Sequence, residues 1–245
     1  TRVRGSAHLT YDFKVGANDE HRFSIMGGTE YGSNASAYNM MHGSKYSKSY
    51  TPEQVFDNFS KGGGTPTVKS YTSPNDNLVS FFGRINYNFN ERYLLTLTAR
   101  EDGSSKFLSE DNRHWGFFPA AAVAWRVLEE DWMQSTKEWL SNLKLRVSYG
   151  TAGNDNIKSD AAFRLYSVDS GSKRYGVGDV ENHHYLSGAT IANPLLTWES
   201  MITRNIGIDF GFLNERINGT VDFYWNSTKD LLVEHNITAP GYTKV

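Results

Sequence analysis

Apolar and polar residues alternate with a period of two along most of the chain. Leu9, Tyr11, Phe13 and Val15 alternate with His8, Thr10, Asp12 and Lys14. After a turn-rich stretch (16–20), Phe23 and Ile25 stand against Arg22, Ser24 and Met26. The pattern recurs in Val79, Phe81, Gly83, Ile85, Tyr87 and Phe89, and past the turn Asn90-Glu91-Arg92 in Tyr93, Leu95, Leu97 and Ala99. Leu143, Leu145, Val147 and Tyr149 repeat it, as do Ile206, Ile208, Phe210 and Phe212. Beyond Leu213-Asn214-Glu215-Arg216 it resumes in Ile217, Gly219, Val221, Phe223 and Trp225. Strict alternation marks strands with one apolar and one polar face. The alanine-rich segment Phe117–Arg126, with Pro119, is a weaker instance. The pattern predicts about eight strands.

The connections alternate in length. Short turns follow Val15, Phe89 and Phe212, whereas long polar stretches follow Tyr31, Arg100 and Gly150. That alternation describes an antiparallel up-and-down sheet with short turns at one end and long loops at the other. Residues 127–142, containing Glu129-Glu130-Asp131-Trp132, predict a short helix on the short-turn side, with the acids at its solvated start. Gly62-Gly63-Gly64-Thr65-Pro66 predicts a flexible loop, because it lacks the Lys-Ser/Thr and following helix of a phosphate loop.

Two environments could accept the apolar stripe. A second sheet would bury it in a sandwich; a bilayer would take aliphatics at mid-strand and aromatic rings at the two interfaces. Phe81 lies at the long-loop end of its strand, while Phe89, Tyr93, Trp125, Phe210 and Phe212 lie at short-turn ends, with Ile85, Leu95 and Leu97 between. At ~3.3 Å per residue and ~45° of tilt, Val79–Phe89 climbs about 25 Å, the apolar height of a membrane barrel. The opposite face carries Asp12, Lys14, Arg22, Arg84, Arg100, Arg126, Lys144, Arg146, Asp209 and Asp222, so it faces water or a polar plug. Arg204 breaks the rule by sharing the parity of Ile206 and Ile208, near the outer interface. The loops of this chain and its bulky charges suit an arc of a wide barrel better than a closed eight-stranded one.

Composition narrows the functional classes. With 25 Lys+Arg against 27 Asp+Glu, the formal net charge of −2 gives no basic excess for nucleic acid. The absence of cysteine removes disulfides, thiolate metal sites and thiol nucleophiles. Adjacent His183 and His184 lack a third ligand at suggestive spacing, and Ser104-Ser105 lack a His/Asp pattern, so neither a metal, a cofactor nor a catalytic constellation is expected. The chain opens on Thr1-Arg2-Val3-Arg4 without an initiator Met or signal pattern, and is expected to be an internal piece of a longer protein.

Specific segments resemble the SusC/RagA family of TonB-dependent outer-membrane transporters. They run from Ser80-Phe81-Phe82-Gly83-Arg84-Ile85-Asn86-Tyr87 through Arg100-Glu101-Asp102-Gly103-Ser104-Ser105-Lys106-Phe107 to Trp115-Gly116-Phe117-Phe118-Pro119. Leu143-Lys144-Leu145-Arg146-Val147-Ser148-Tyr149-Gly150, Leu196-Thr197-Trp198-Glu199 and Val221-Asp222-Phe223-Tyr224-Trp225 continue it in order. The resemblance implies that residues 1–245 are part of a 22-stranded barrel, with plug, signal peptide and remaining strands elsewhere. It further implies an outer membrane of a Bacteroidetes-type bacterium, TonB-driven import of glycan or peptide fragments, and a SusD-like surface lipoprotein as lid. On that basis Arg126, Lys144, Arg146 and Asp209 are expected to meet the plug, and Arg84, Arg100 and Asp222 to line the lumen. Trp115, Tyr166, Tyr175, His183, His184 and Tyr185, at the long-loop end, are candidate contacts for substrate or lid. The alternative is a soluble all-β carbohydrate-binding or adhesive module, which would bury the same stripe against a second sheet.

Overall fold

The computed structural model describes residues 1–245 except 74, 109, 160, 164–165, 169–174, 178–179, 183–184, 188–190, 240–241 and 245. Eight long strands form one antiparallel meander: β1 (Arg2–Val15), β2 (His21–Asn34), β3 (Asp76–Phe89), β4 (Tyr93–Ser104), β5 (Trp115–Arg126), β6 (Leu140–Asn154), β7 (Glu199–Phe212) and β8 (Ile217–Lys229). Every strand pairs with its sequence neighbour, and β1 and β8 end the order. Among the described residues no second sheet lies across this one; the other strand pairs are two-stranded hairpins. The soluble-sandwich alternative requires a covering sheet over the apolar stripe, and the described residues supply none.

Register shows why the alternation works. One rung runs Phe13, Phe23, Tyr87, Leu95, Val123, Val147, Ile206, Phe223 across all eight strands. The adjacent rung runs Asp12, Ser24, Asn86, Thr96, Ala122, Ser148, Asn205, Tyr224. Successive side chains of a strand point to opposite faces, so the sheet has one apolar and one polar surface. On the apolar face Leu9 is 78% exposed, Phe117 64% and Phe223 68%. Such a surface needs a nonaqueous partner.

Rings gather at the short-turn end of that face. Phe13 stacks on Phe23 with centroids 4.9 Å apart, Phe23 meets Tyr87 at 4.8 Å, and Phe89, Tyr93 and Trp125 follow at 6.2 and 6.4 Å. Phe210 and Phe212 extend the band, and Trp139 stacks on Phe212 at 5.9 Å. The turn between β3 and β4 holds Asn90 and Glu91 at φ 51° and 55°, with Arg92 N–H donating to the Phe89 carbonyl at 2.9 Å. Left-handed residues match the right-handed twist of the strands they join.

Three expectations need correction. The strands run several residues further toward the long loops than the alternation indicates, β2 to Asn34, β4 to Ser104 and β6 to Asn154, because the ladder continues through polar residues. Residues 127–142 form two 3₁₀ segments, Val127–Glu129 and Asp131–Glu138, in place of one helix. Glu130 between them is not solvated: it is 8% exposed. Its Oε1 accepts Tyr93 Oη at 2.6 Å and Trp125 Nε1 at 2.9 Å, and its Oε2 accepts Arg92 Nη1 at 3.1 Å. Hydrogen bonds from Tyr93 and Trp125, helped by the Arg92 charge, hold the Glu130 carboxyl below the usual carboxylate range against the effect of burial.

The long loop between β2 and β3 is also more ordered than its composition suggests. It contains a hairpin of Ala37–His42 with Thr67–Thr72 and a helix, α1 (Pro52–Asp57), capped by Thr51 and Gln54 in a reciprocal box. The glycine run is held in place: Gly63 and Gly64 N–H donate to the Lys45 and Ser44 carbonyls at 3.1 and 3.2 Å. A Cβ on Gly62 would stand 2.7 Å from the Ser44 carbonyl oxygen, so close approach selects glycine there.

Two predictions follow from these contacts. Glu130 is bonded as the anion, so its stabilisation is complete above the ordinary carboxylate pKa of about 4.3 and is lost as pH falls through its depressed folded value. Thermal unfolding of the detergent-solubilised protein should therefore lose part of its acid-side slope in Glu130→Gln; parallel wild-type and variant curves between pH 7 and pH 3 would contradict this. On the polar face, a Cβ on Gly28 would lie 2.6 Å from the Phe82 ring and 2.7 Å from the Ala7 carbonyl oxygen. Gly28→Leu should cost about 1–3 kcal/mol through overpacking, read as a lower midpoint of heat-dependent gel mobility.

Candidate functional site

The polar face carries its charges at two levels, each built by cross-strand register. Toward the short-turn end, Lys144 pairs across the ladder with Asp209, and Arg146 lies on the rung of Gly207 and Asp222. Arg146 forks onto Asp209, Nε to Oδ2 at 3.0 Å and Nη2 to Oδ1 at 2.8 Å, and reaches Asp222 at 3.2 Å. Thr220 Oγ1 donates to Asp209 at 3.0 Å, and Lys144 stands 3.8 Å from it. Two-point binding of this kind is the geometry a planar guanidinium favours. Lys144, Arg146 and Asp209, expected to meet the plug, and Asp222, expected to line the lumen, are thus brought together, and they neutralise one another within the wall.

Below them the turns add a second set. Glu91 accepts Arg22 Nη1 at 2.6 Å, and Arg126 contacts both the Glu91 carbonyl, at 3.2 Å, and Glu129, at 3.1 Å. Lys137 completes the chain on Glu129 at 3.2 Å. Arg126 is therefore a rim residue that ties turns together.

At the long-loop end a denser network surrounds Arg100. Its Nε donates to both oxygens of Asp102 at 2.7 and 2.9 Å, its Nη2 to Ser80 Oγ at 2.8 Å, and Glu30 lies 3.6 Å away, also paired to Arg4. The guanidinium lies over the Phe82 ring at 5.7 Å. Ser104 Oγ donates to Asp155 at 2.8 Å and Lys106 Nζ to the Asp155 carbonyl at 3.0 Å. Arg4, Glu30, Arg100, Ser104, Lys106 and Asp155 border a cleft of about 380 Å³ whose walls also include Arg2, Asn34, Asp76 and Asn77. Cations and carboxylates alternate around it, so it presents donors and acceptors to a polar ligand instead of one sign of charge.

Glu30, Asp102, Ser104 and Asp155 were not anticipated. Asp102 and Ser104 sit on the polar parity of β4 beyond Arg100, so extending the period-two count by a few residues would have found them, and Glu30 lies on the polar parity within β2, where Gly27 and Gly28 blur the alternation. Arg84 lies on the polar face on the rung of Met26 and Thr98 and, among the described residues, has no acid partner. Beside the cleft the long connections converge on a buried cluster of Phe107, Phe118 and Trp198, with Trp198 Nε1 donating to the His114 carbonyl at 3.0 Å.

Trp115 is placed differently from expectation. It opens β5 opposite Gly103, on the apolar face, and stacks on Phe81 with centroids 6.3 Å apart. It belongs with the girdle ring Phe81 and not with the loop aromatics. Tyr166 and Tyr185 open short strands paired with each other (Tyr166–Val168 with Tyr185–Ser187), and Tyr175 opens a strand paired with Val180–Asn182. His183 and His184 lie outside the described residues. Among the described residues no three His, Asp or Glu side chains are grouped to hold a metal ion.

Comparison with known proteins gives this two-faced wall a relationship. TonB-dependent receptor SusC of Bacteroides thetaiotaomicron is 46% identical over 156 residues, 63% of this chain and 15% of that protein. A TonB-dependent receptor of Formosa agariphila is 32% identical over 238 residues, covering 96% of this chain and 22% of its own length. Among solved structures, the RagAB peptide transporter superposes with a TM-score of 0.77 at 24% identity, over 99% of this chain and 25% of that one, a likeness of fold. The chain spans about a quarter or less of the length of these relatives. The TonB dependent receptor-like β-barrel family matches residues 2–244, and with the alternating wall, the aromatic band and the charged inner face already in place, the chain belongs to that family, with SusC among its relatives.

Proposed function

We propose that this chain is a section of the wall of an outer-membrane active transporter that imports glycan or peptide fragments, energised through TonB. The observation that carries this is the pairing of an uncovered apolar face, ringed by aromatics, with a charged face in one continuous antiparallel sheet. An apolar exterior around a polar lumen is what a substrate-conducting barrel requires. The family is one of transporters, not enzymes.

Within this proposal the outer cleft and the loop residues Tyr166, Tyr175, His183, His184 and Tyr185 face substrate or a SusD-like lipoprotein that caps the barrel. Aromatic rings suit stacking on sugar rings or peptide planes. The rim built by Arg126, Glu129 and Glu91 faces the plug through which TonB acts. Relatives supply the direction: one is named SusC and a fold neighbour is described as a peptide transporter.

The test uses the full-length transporter in its own cell. It should fractionate with the outer membrane and require detergent for extraction, and its deletion should abolish uptake of one class of labelled oligosaccharide or oligopeptide. Removing TonB should stop uptake while leaving surface binding intact. A soluble species of about 27.6 kDa would overturn the proposal.

A further inference from the structure

One cation stands within a row of apolar positions. The rung through Arg204 runs Tyr11, Ile25, Ile85, Leu97, Ala121, Tyr149, Arg204, Trp225. Seven of these eight positions are apolar or aromatic, and the eighth is a guanidinium. Its neighbours hold it in a defined pose: the guanidinium carbon lies 5.8 Å from the centroid of Tyr149, and Nη1 donates to Ser227 Oγ at 3.3 Å. An arginine carries five N–H donors. The Ser227 bond is its one protein hydrogen bond among the described residues, so the others are left for a ligand.

Position says what kind of ligand. Arg204 stands eight residues from Phe212 on β7, about 19 Å above the inner aromatic band at ~3.3 Å per residue and ~45° of tilt. Above it β6 and β8 turn polar: Thr151 and Ser227 stand on the next rung on either side of the buried Ile202, and Lys229 lies further up β8. On β6 and β8 the row of Tyr149, Arg204 and Trp225 is therefore where the apolar stretch ends, with the exposed cation Lys229 further up β8. No outward position of β5 to β8 carries an acid; Glu101, on β4, is the acid of that face at this end and lies three strands away. A cation at the edge of hydrocarbon is cheapest when it meets an anion at headgroup depth, and a guanidinium suits a phosphate in two-point contact.

We propose that Arg204, with Tyr149, Ser227 and Lys229, forms a binding site for the phosphorylated glycolipid headgroup of the outer leaflet. It rests on the membrane-barrel function proposed above. Tyr149 supports the flat face of the guanidinium, Ser227 fixes its edge, and Lys229 adds a second charge above. The lipid phosphate completes the hydrogen bonding that the protein leaves open.

The test is native mass spectrometry of the full-length transporter in neutral detergent, titrated with monophosphorylated lipid A, its dephosphorylated form and phosphatidylglycerol. Monophosphorylated lipid A should bind best, and Arg204→Gln should weaken it about tenfold, the scale of a charge-assisted hydrogen bond. Arg204→Lys should keep part of the binding, because it retains charge and loses the planar fork. Equal binding of the dephosphorylated lipid, equal or better binding of phosphatidylglycerol, or unchanged affinity in both variants would overturn the site. Heat-dependent mobility and membrane fractionation of each variant report barrel integrity separately. An inserted barrel indifferent to the lipid phosphate would sink this site alone, whereas a protein outside the membrane would sink the function beneath it.

Discussion

Everything in this structure depends on register between neighbouring strands. In hydrocarbon no water is available to backbone N–H and C=O groups, so each must be paired by the adjoining strand. Because side chains alternate faces, the same pairing decides which residues meet lipid. The rung from Phe13 to Phe223 and the neighbouring rung from Asp12 to Tyr224 are one residue apart on every strand. A slip of one residue in β3 would carry Arg84 to the apolar face and Ile85 to the polar one. The alternation is thus a code for register as much as for burial.

With register fixed, the polar face is largely self-satisfied. Arg146 with Asp209 and Asp222, and Arg100 with Asp102 and Glu30, are cross-strand or near-neighbour sets that the ladder itself brings within reach. Exposed pairs contribute only ~0–1 kcal/mol each, so their number says little about stability. Their effect is local: they leave a wall with nearly balanced charge and few free ions to trap a passing solute. Glu130 differs because it binds a tyrosine, a tryptophan and an arginine from the strand ends it joins. It links the interface rings to the turns and so anchors the aromatic band from below.

Much of this was legible in the sequence, and the failures have physical causes. All eight strands and both faces follow from period two, including the weak β5, whose Ala120, Ala122 and Ala124 lie on the polar side while Phe117, Ala121, Val123 and Trp125 hold the apolar one. The end of β4 was missed because Asp102 and Ser104 look like loop residues, and the partner of Ser104, Asp155, is distant in sequence. Glu130 looked solvated for a similar reason: Arg92 and Tyr93 reach it from another hairpin, joining Trp125 from the strand just before it. Trp115 resembled a loop aromatic because it follows a long polar stretch, and only its register opposite Gly103 assigns it to the girdle. The glycine run 62–64 reads as flexible, yet its lack of side chains serves close packing on Ser44 and Lys45.

The outer end shows how a rigid wall can carry variable loops. Phe107, Phe118 and Trp198 come from the β4–β5 connection, β5 and the β6–β7 connection, and Leu78, Ile157, Leu196 and Leu232 pack around them. Phe118 and Leu78 lie on the polar parity, so the long connections bend inward over the polar face instead of outward over lipid. There they leave the charged cleft bounded by Arg4, Glu30, Arg100 and Lys106 beside an apolar plug of their own side chains. Aromatic burial supplies the adhesion that holds the loop bases, and the loop tips are released from that task. Specificity can then change at the tips without disturbing the ladder on which the barrel depends.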